Sequence, residues 1–384
     1  MKKVNSVIRE KLEFLANLPD TDHPIITLYM NVNAQEFLNQ AEKNRIFLKN
    51  SIIEYAEKFK KTNPEKLYGF KKDISKIKNY IAEEINTTTH GIAIFACDEL
   101  NLFETFQSVI PFENEFVVSF SPYLKQLAFL GDEYENVLAI MLDSNSTVIY
   151  DVRLGGIVTQ RFTSESDVHG FHEQGGWSQK RFQRGIQQEK EWHYRDTANF
   201  VRKLVDEEGF NNIVIIGKDY EVKNFEKHLP NYINKKVINT NDLGMYANPN
   251  KILETIINDL YDAEKEREFL TVRDIINRSQ MNDKASMGLS DIIELASSGR
   301  VETLAVVKND VRTGYKTGEC LYITKDQHYP GCPECNGNCK ETDLIEEVIR
   351  LTIKNGGEVE ILTPETPAAN ELLEHDGIGA ILRY

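Results

Sequence analysis

The stretch from Gly170 to Arg184 combines residue types that could hold an anion or a phosphate backbone. Its paired glycines, Gly175 and Gly176, lack a Cβ and let the backbone approach a ligand closely. Ser178 suits the position that caps a helix, and no proline follows before Gly209, which suits a C-terminal cap. These residues predict a glycine loop that leads into a long helix, whose N-terminus adds a partial positive charge at the loop.

The predicted helix has two different faces when it is wound at about 100° per residue. One stripe is apolar and contains Phe182, Ile186, His193, Val201 and Leu204. The opposite stripe is polar and contains Arg181, Arg184, Gln188, Trp192, Arg195 and Arg202. Seven cations and three anions lie between Gly175 and Val205, although the whole chain carries a net charge of −15. The polar stripe could therefore contact a phosphate backbone, and a solvated helix face after an ordinary glycine turn is the alternative.

A second cluster contains three cysteines in the spacing Cys-x2-Cys-x3-Cys, at Cys332, Cys335 and Cys339. Zinc in structural sites is bound by four nitrogen or sulfur ligands in a tetrahedron. The fourth ligand could be Cys320 or His328. The spacing predicts a structural zinc ion, and free thiols in a small loop are the alternative. No organic cofactor is predicted. Cys97 lies in a predicted strand and is interpreted as a core residue.

Composition limits the classes of protein that this chain can represent. The 384 residues predict two to three domains, and a hydrophobic content of 41% suffices for packed cores. The net charge of −15 argues against a protein that coats nucleic acid indiscriminately, so any RNA contact should be local. The sequence has no apolar run long enough to cross a membrane and no signal-like opening, which predicts a soluble, cytoplasmic protein without membrane contact.

The elements that position these residues are predicted to alternate between helix and strand. In the first third of the chain we expect helices over 4–18, 35–61 and 71–86, and strands over 25–32, 91–97, 103–109 and 116–120. The central part should begin with antiparallel strands over 137–142, 147–153 and 157–162, which lead into the loop and the long helix. A strand over 212–217, a helix over 221–228 and a short strand over 236–239 should follow.

The last part of the chain is predicted to follow a connecting helix over 250–268. It should contain helices over 289–298, 343–355 and 365–374, and strands over 301–307, 358–362 and 378–382. This order predicts an α/β/α sandwich. The chain is thus expected to be α/β, with an N-terminal α/β domain over 1–130, a central domain with the Gly-Gly loop over 131–248, and a C-terminal domain with the Cys-rich insertion over 249–384.

Three stretches, taken in order, resemble the eukaryotic and archaeal class-1 peptide chain release factor and Pelota family, in its divergent bacterial and archaeal branch. Gly-Gly-Trp-Ser-Gln-Lys-Arg-Phe-Gln-Arg, from Gly175, resembles the family's Gly-Gly-Gln loop and the helix after it. Asp291-Ile-Ile-Glu-Leu-Ala-Ser-Ser-Gly-Arg-Val-Glu-Thr-Leu resembles the start of the family's C-terminal domain. Asp376-Gly-Ile-Gly-Ala-Ile-Leu-Arg-Tyr resembles its end. The first third of the chain resembles the family only in element order.

The resemblance implies a three-domain architecture with a degenerate N-terminal α/β domain, an RNase H-like central domain and an α/β/α sandwich as C-terminal domain. It implies a factor that enters the ribosomal A site, where the central domain reaches the P-site peptidyl-tRNA and the C-terminal domain meets a translational GTPase of the EF-Tu type. Residues expected to contact ribosomal RNA are then Trp177, Lys180, Arg181, Arg184, Arg195 and Arg202.

The chain departs from the family pattern directly after the glycine pair. In release factors that position holds the Gln that orients the attacking water, whereas here it holds Trp177, and Gln179 follows two residues later. The retained Gln favours codon-independent hydrolysis of peptidyl-tRNA in ribosome rescue, with Gly175 and Gly176 shaping the loop and Gln179 placing the water. The alternatives are a non-catalytic, Pelota-like factor of ribosome hibernation or splitting, and cleavage of the tRNA 3′ end. Stop-codon reading is not predicted, because the first third lacks an Asn-Ile-Lys-Ser-like tetrapeptide.

Overall fold

The computed structural model describes residues 6–384 except for short gaps and two longer ones. The gaps are residue 20 and residues 33–36, 87–88, 109, 134–135, 154–155, 166–176, 244–248, 318–322 and 325–338. The chain divides into two compact units. One unit contains Glu133–Glu264, and the other combines Val7–Asp132 with Lys265–Tyr384. The three domains predicted from the sequence, with boundaries at residues 130 and 248, stay a prediction.

The first segment of the chain forms an antiparallel sheet with helices against it. Its helices are α1 (Ser6–Ala16), α2 (Phe37–Thr62), α3 (Leu67–Glu83) and α4 (Lys125–Glu133). Its strands are β1 (Ile25–Asn31), β2 (Gly91–Cys97), β3 (Leu102–Ser108) and β4 (Glu115–Ser119), in the order β3-β2-β1-β4. Alternate residues of β1 and β2, such as Leu28 and Ile94, pack into a core with Phe59, Phe70 and Ile77 of α2 and α3. The sequence predicted this sheet but missed α4.

The central unit is built on a five-stranded mixed sheet. Its strands are β5 (Val137–Leu142), β6 (Ser146–Arg153), β7 (Gly156–Glu165), β8 (Asn212–Ile216) and β9 (Val237–Asn241). Its helices are α5 (Trp177–Glu208), α6 (Asp219–Glu226), α7 (Asn231–Asn234) and the first part of α8 (Pro249–Gln280). The strand order is β7-β6-β5-β8-β9, with β5 antiparallel to β6 and parallel to β8. This order and these directions agree with the RNase H-like central domain that the resemblance implies.

Helices cover both faces of the central sheet. On one face Leu138, Ile140 and Ile215 pack against Val201 of α5 and Phe225 of α6. On the other face Ala139, Met141 and Val214 pack against Ile252 and Ile256 of α8. Because strand residues alternate between faces, the nearly continuous apolar runs of β5 and β8 are the sequence signature of this two-sided burial. The sheet thereby gives α5 a rigid base.

The last segment contains the expected sandwich and a small additional sheet. The elements are β10 (Ala285–Met287), α9 (Leu289–Ser297), β11 (Val301–Val307), β12 (Thr313–Thr317), β13 (Ile323–Thr324), β14 (Cys339–Asp343), α10 (Leu344–Lys354), β15 (Glu358–Leu362), α11 (Pro367–Leu373) and β16 (Ile378–Leu382). The main sheet has the order β10-β16-β11-β15, and the small sheet has the order β13-β12-β14. Val272 and Ile275 of α8 and Leu372 of α11 pack on one face of the main sheet with Ala305 and Leu362. The predicted α/β class and multi-domain architecture are confirmed.

Within the described residues, the structure contains no helix that is long and apolar enough to cross a membrane.

Candidate functional site

The long helix predicted after the glycine loop is present as α5. Its backbone begins at Trp177, one residue before the predicted cap Ser178, and ends at Glu208. Gly209 has a φ of 76°, and its N–H donates to the Val205 carbonyl at 3.0 Å. Glycine adopts this left-handed conformation without the strain that a Cβ causes, so Gly209 ends the helix as predicted. Side chains are described from Gln187 onward, and the loop residues Gly175 and Gly176 lie outside the described part.

One face of α5 is buried against the central sheet. Val201, Leu204 and His193 are buried, as the apolar stripe predicted, while Phe182 and Ile186 lie outside the described side chains. The His193 Nε2 lies 2.9 Å from the Thr147 hydroxyl of β6. Burial lowers the pKa of His193, because the imidazolium form would lose its hydration. His193 is therefore a neutral residue that joins the helix to the sheet rather than a charged group of the site.

Ion pairs and hydrogen bonds fix the middle of α5 to α6. The Tyr194 hydroxyl donates to the Glu221 carboxylate, and the Lys190 Nζ lies 3.5 Å from the same carboxylate. The His228 Nε2 lies 3.1 Å from Glu191. Lys190 therefore pairs with Glu221 and helps to fix α5 to α6. In the sequence it was one of the seven cations of the predicted helix. The Tyr194–Glu221 pair could not be predicted, because the two residues meet only in the folded unit.

The C-terminal end of α5 is fixed by a second set of charges. Asp151 of β6 is fully buried, and Arg153 and Arg161 contact its carboxylate at 2.7 and 2.9 Å. Both arginines also lie 3.1 Å from Glu208, the last residue of α5. Burial alone would raise the pKa of Asp151, but hydrogen bonds from the two arginines hold it below its ordinary value. The helix is thus held at its middle and at its end.

The opposite face of α5 is open to solvent. Its exposed residues, spaced alternately four and three apart, are Gln188, Trp192, Arg195, Asn199 and Arg202. We call this set the exposed stripe. The Trp192 side chain is 54% exposed, and the Arg202 Nε lies 3.6 Å from Asp206 at the end of the stripe. Guanidinium groups and an indole ring offer hydrogen-bond donors and a stacking surface, which suit a phosphate backbone and unpaired bases.

Most residues of the predicted site fall outside the described side chains. Arg195 and Arg202 lie on the exposed stripe as predicted. Trp177, Gln179, Lys180, Arg181 and Arg184 belong to α5, but only their backbone is described. Their roles remain predictions. The apolar stripe of the helix is buried as predicted, at His193, Val201 and Leu204.

One of the predicted metal ligands, Cys339, lies in the small sheet β13-β12-β14. Cys339 begins β14 and pairs with Thr317 of β12, three residues before Cys320. Cys320, His328, Cys332 and Cys335 lie outside the described residues, and so does the Cys339 side chain. Cys97 is buried in β2, as expected of a core residue.

Two family models match the chain over adjoining ranges. The model of bacterial archaeo-eukaryotic release factor family 10 matches residues 122–260. The model of eRF1 domain 3 matches residues 268–384. The chain belongs to the release factor and Pelota family. Both family models leave residues 1–121 outside their matched ranges, in line with the weak resemblance of the first third.

Curated members of the family align with this chain at low identity. Peptide chain release factor subunit 1 of Thermococcus onnurineus is 26% identical over 247 residues, 57% of this chain and 59% of that protein. The Methanosphaera stadtmanae factor is 27% identical over 66% of each chain. The Pelota homologue of Pyrococcus abyssi is 20% identical over 56% of this chain and 53% of its own length. The chain thus spans about three fifths of the length of the release factors it matches.

Solved structures of the family are distant from this chain. An archaeal translation termination factor, aRF1, covers 99% of this chain and 98% of its own length at 12% identity, with a TM-score of 0.26. Dom34 of S. cerevisiae, described as interacting with Hbs1, covers 77% of this chain and 80% of its own length at 15% identity, with a TM-score of 0.41.

Proposed function

We propose that this chain is a ribosome A-site factor that hydrolyses peptidyl-tRNA on stalled ribosomes without reading a codon. The observation that carries the proposal is the exposed stripe of α5. It lies on the helix that begins at Trp177, directly after the glycine pair in the sequence, and the other face of this helix is fixed to the sheet. A rigid helix of 32 residues, at about 1.5 Å per residue, extends almost 50 Å. Such a helix can carry a loop deep into a ribosomal site.

In this proposal the exposed stripe binds ribosomal RNA and the loop performs the chemistry. Trp177, Lys180, Arg181, Arg184, Arg195 and Arg202 would hold phosphates and bases. Gly175 and Gly176 would let the loop approach the end of the P-site tRNA. The Gln179 amide is neutral, so it would act by orienting water and by donating to the developing oxyanion rather than by removing a proton. A translational GTPase of the EF-Tu type would bind the C-terminal segment.

The test is peptide release from ribosomes stalled with a labelled peptidyl-tRNA in the P site. Wild-type protein should release the peptide, and Gln179→Ala should slow release by about a hundredfold or more while binding is unchanged. Gln187→Ala is the matched control, because it removes the same amide from an exposed position of α5 that lies outside the exposed stripe. Equal release by Gln179→Ala and wild type would reject the role of Gln179, and no release by wild type would reject the hydrolase.

A non-catalytic factor of ribosome hibernation or splitting is the second candidate, and Trp177 in place of the family's catalytic Gln favours it. This factor should sediment with idle ribosomes and protect them without releasing peptide. Sizing the tRNA product in the release assay separates ester hydrolysis from the third alternative, cleavage of the tRNA 3′ end. An intact 3′ end after peptide release would exclude that cleavage.

A further inference from the structure

Helix α10 is buried from Leu344 to Ile353 although this stretch contains three charged residues. Residues Leu344–Ile353 are all buried, including Glu346, Glu347 and Arg350. Taking a charge out of water costs several kcal/mol unless close partners compensate for it. The partners of these charges come largely from the first segment of the chain, residues 7–132, within the same compact unit.

Glu347 is an ionised residue at the centre of this contact. The Ser121 hydroxyl donates to its carboxylate, and the Lys316 Nζ and the Arg350 Nε lie 3.2 and 3.1 Å from it. Burial would raise the pKa of Glu347, but Arg350 and Lys316 outweigh that effect and hold it below the ordinary value. An Arg350 guanidinium N–H also donates to the Ala16 carbonyl of the first segment at 3.4 Å.

Glu346 caps a helix of the first segment. Its Oε2 accepts the backbone N–H groups of Leu124 and Lys125, at 2.7 and 3.1 Å. These N–H groups lie at the start of α4, where a helix has no internal acceptors for them. A carboxyl group of the last segment therefore replaces the side-chain cap that the α4 sequence lacks.

The surroundings of Glu346 favour its neutral form. Burial raises the pKa of Glu346 to about 8. Lys125 and the Leu124 N–H oppose this effect, and Glu115 of β4 and Asp343 add to it. Burial raises the pKa of Tyr29 and of Tyr123, and the neighbouring Glu346 carboxyl adds to both effects. Ionised Glu347 is the next residue along the helix. Loss of the Glu346 proton therefore places a further negative charge beside Glu347 inside the contact.

Each of the two segments also has an apolar core of its own. Phe59, Phe70 and Ile94 belong to the core of the first segment, and Val272 and Leu372 belong to a core of the last segment. In a permanent core, apolar residues in place of buried charges are often at least as stabilising. The buried charges of α10 are better explained if this helix surface is exposed to water for part of the time, because charged groups are hydrated when the contact opens.

We propose that residues 7–132 form a separable cover over the first turn of α10, and that this contact loosens when Glu346 loses its proton. The cover is closed when Glu346 is neutral and caps α4. The closed state binds the Glu346 proton more tightly than the open state does, so the free energy that favours closure falls as the pH rises. Closure is therefore strongest in acid and weakens as the pH rises towards about 8, above which no further loss occurs.

Hydrogen exchange of the full-length chain tests this cover. Amides in peptides 121–130 and 344–353 report its opening, and amides of α3 report unfolding of the first segment. After correction for intrinsic exchange, the opening constant of the wild type should rise by up to about tenfold per pH unit between about pH 6 and pH 8, and then level off. Protection of α3 should fall by no more than about twofold over this range, which is the part of the Asp73 titration that remains above pH 6.

Substitutions separate the proton effect from other effects of pH. Glu346→Gln keeps an oxygen acceptor for both N–H groups and cannot ionise, so opening should become independent of pH. Glu358→Gln, at an exposed position of β15, is the matched control and should keep the wild-type profile. The proposal is overturned if peptides 121–130 and 344–353 exchange only together with α3, or if Glu346→Gln keeps the wild-type pH dependence.

Discussion

At the residue scale, Arg195 and Arg202 are the two arginines of the exposed stripe of α5. We expect Arg195→Ala and Arg202→Ala each to weaken ribosome binding and to reduce the slope of log affinity against log salt by about one, since each removes one phosphate contact. Titration of labelled protein with ribosomes at several salt concentrations measures both effects. Lys223→Ala is the control, because Lys223 is exposed on α6 and pairs with Asp219 at 2.7 Å. A slope that these arginine variants leave unchanged would contradict the RNA contact.

Asp73 provides a second prediction at the residue scale. This carboxyl of α3 is 1% exposed, its Oδ2 accepts the Asp98 N–H at 3.1 Å, and its Oδ1 has no hydrogen-bond partner among the described residues. Burial raises its pKa to about 6. The folded state therefore holds the proton more tightly than the unfolded state, and stability is lost as the pH rises from about 4 to above 6.

Asp73→Asn should remove this loss, because the amide has the same shape and no charge. We expect the variant to match the wild type near pH 4 and to be more stable by about 1 to 2 kcal/mol at pH 7. Urea unfolding at a series of pH values measures the difference. A difference that stays constant across the series would show that ionisation of Asp73 is not its cause.

At the element scale, α5 depends on its anchors as much as on its own sequence. Tyr194→Phe removes the hydroxyl that donates to Glu221 and leaves a buried carboxylate with fewer partners. We expect a loss of about 1 to 2 kcal/mol in the stability of the central unit. Tyr220→Phe is a matched control, since Tyr220 is 66% exposed on the neighbouring α6. Equal unfolding midpoints for the two variants in urea would contradict the anchor.

The cysteine cluster that ends at the start of β14 leads to a prediction about metal. We expect Cys332, Cys335 and Cys339 to hold one zinc ion, with Cys320 or His328 as the fourth ligand. Purified protein should contain about one equivalent of zinc by elemental analysis, and Cys335→Ser should lose it. Cys97→Ala should keep it, because Cys97 is buried in β2, in another sheet. Wild-type protein without zinc would contradict this prediction and support free thiols in the loop.

At the scale of the whole molecule, charge restricts what the exposed stripe can bind. The chain carries a net charge of −15, so its average field repels nucleic acid. We expect weak binding to random RNA duplexes at physiological salt and much tighter binding to ribosomes, where one surface can match the stripe. Titration of random RNA into a complex of the protein and ribosomes measures this selectivity. Displacement of the protein when the random RNA only equals the ribosomal RNA in nucleotide concentration would contradict a site-specific factor.

The sequence by itself determined the regular elements and their class. The strands 91–97, 137–142, 301–307, 358–362 and 378–382 were predicted with the bounds that the structure shows, because each is an apolar run between turn residues. The faces of α5 followed from helical periodicity, as the buried Val201 and the exposed Arg195 show. The first part of α8 was predicted and its end was missed by 12 residues, since its C-terminal part is stabilised by packing of Val272 and Ile275 rather than by a local signal.

Only the tertiary structure decided which distant residues meet. Helix α4 was missed because its N-terminal cap is Glu346, more than two hundred residues later in the chain. The burial of Glu347 and Arg350 contradicts their polarity and is explained only by Ser121 and Lys316 beside them. The sequence identified the loop and the stripe because their chemistry is local. It could not indicate the anchors of α5 or the cover of α10, because those depend on contacts between segments that are far apart in the chain.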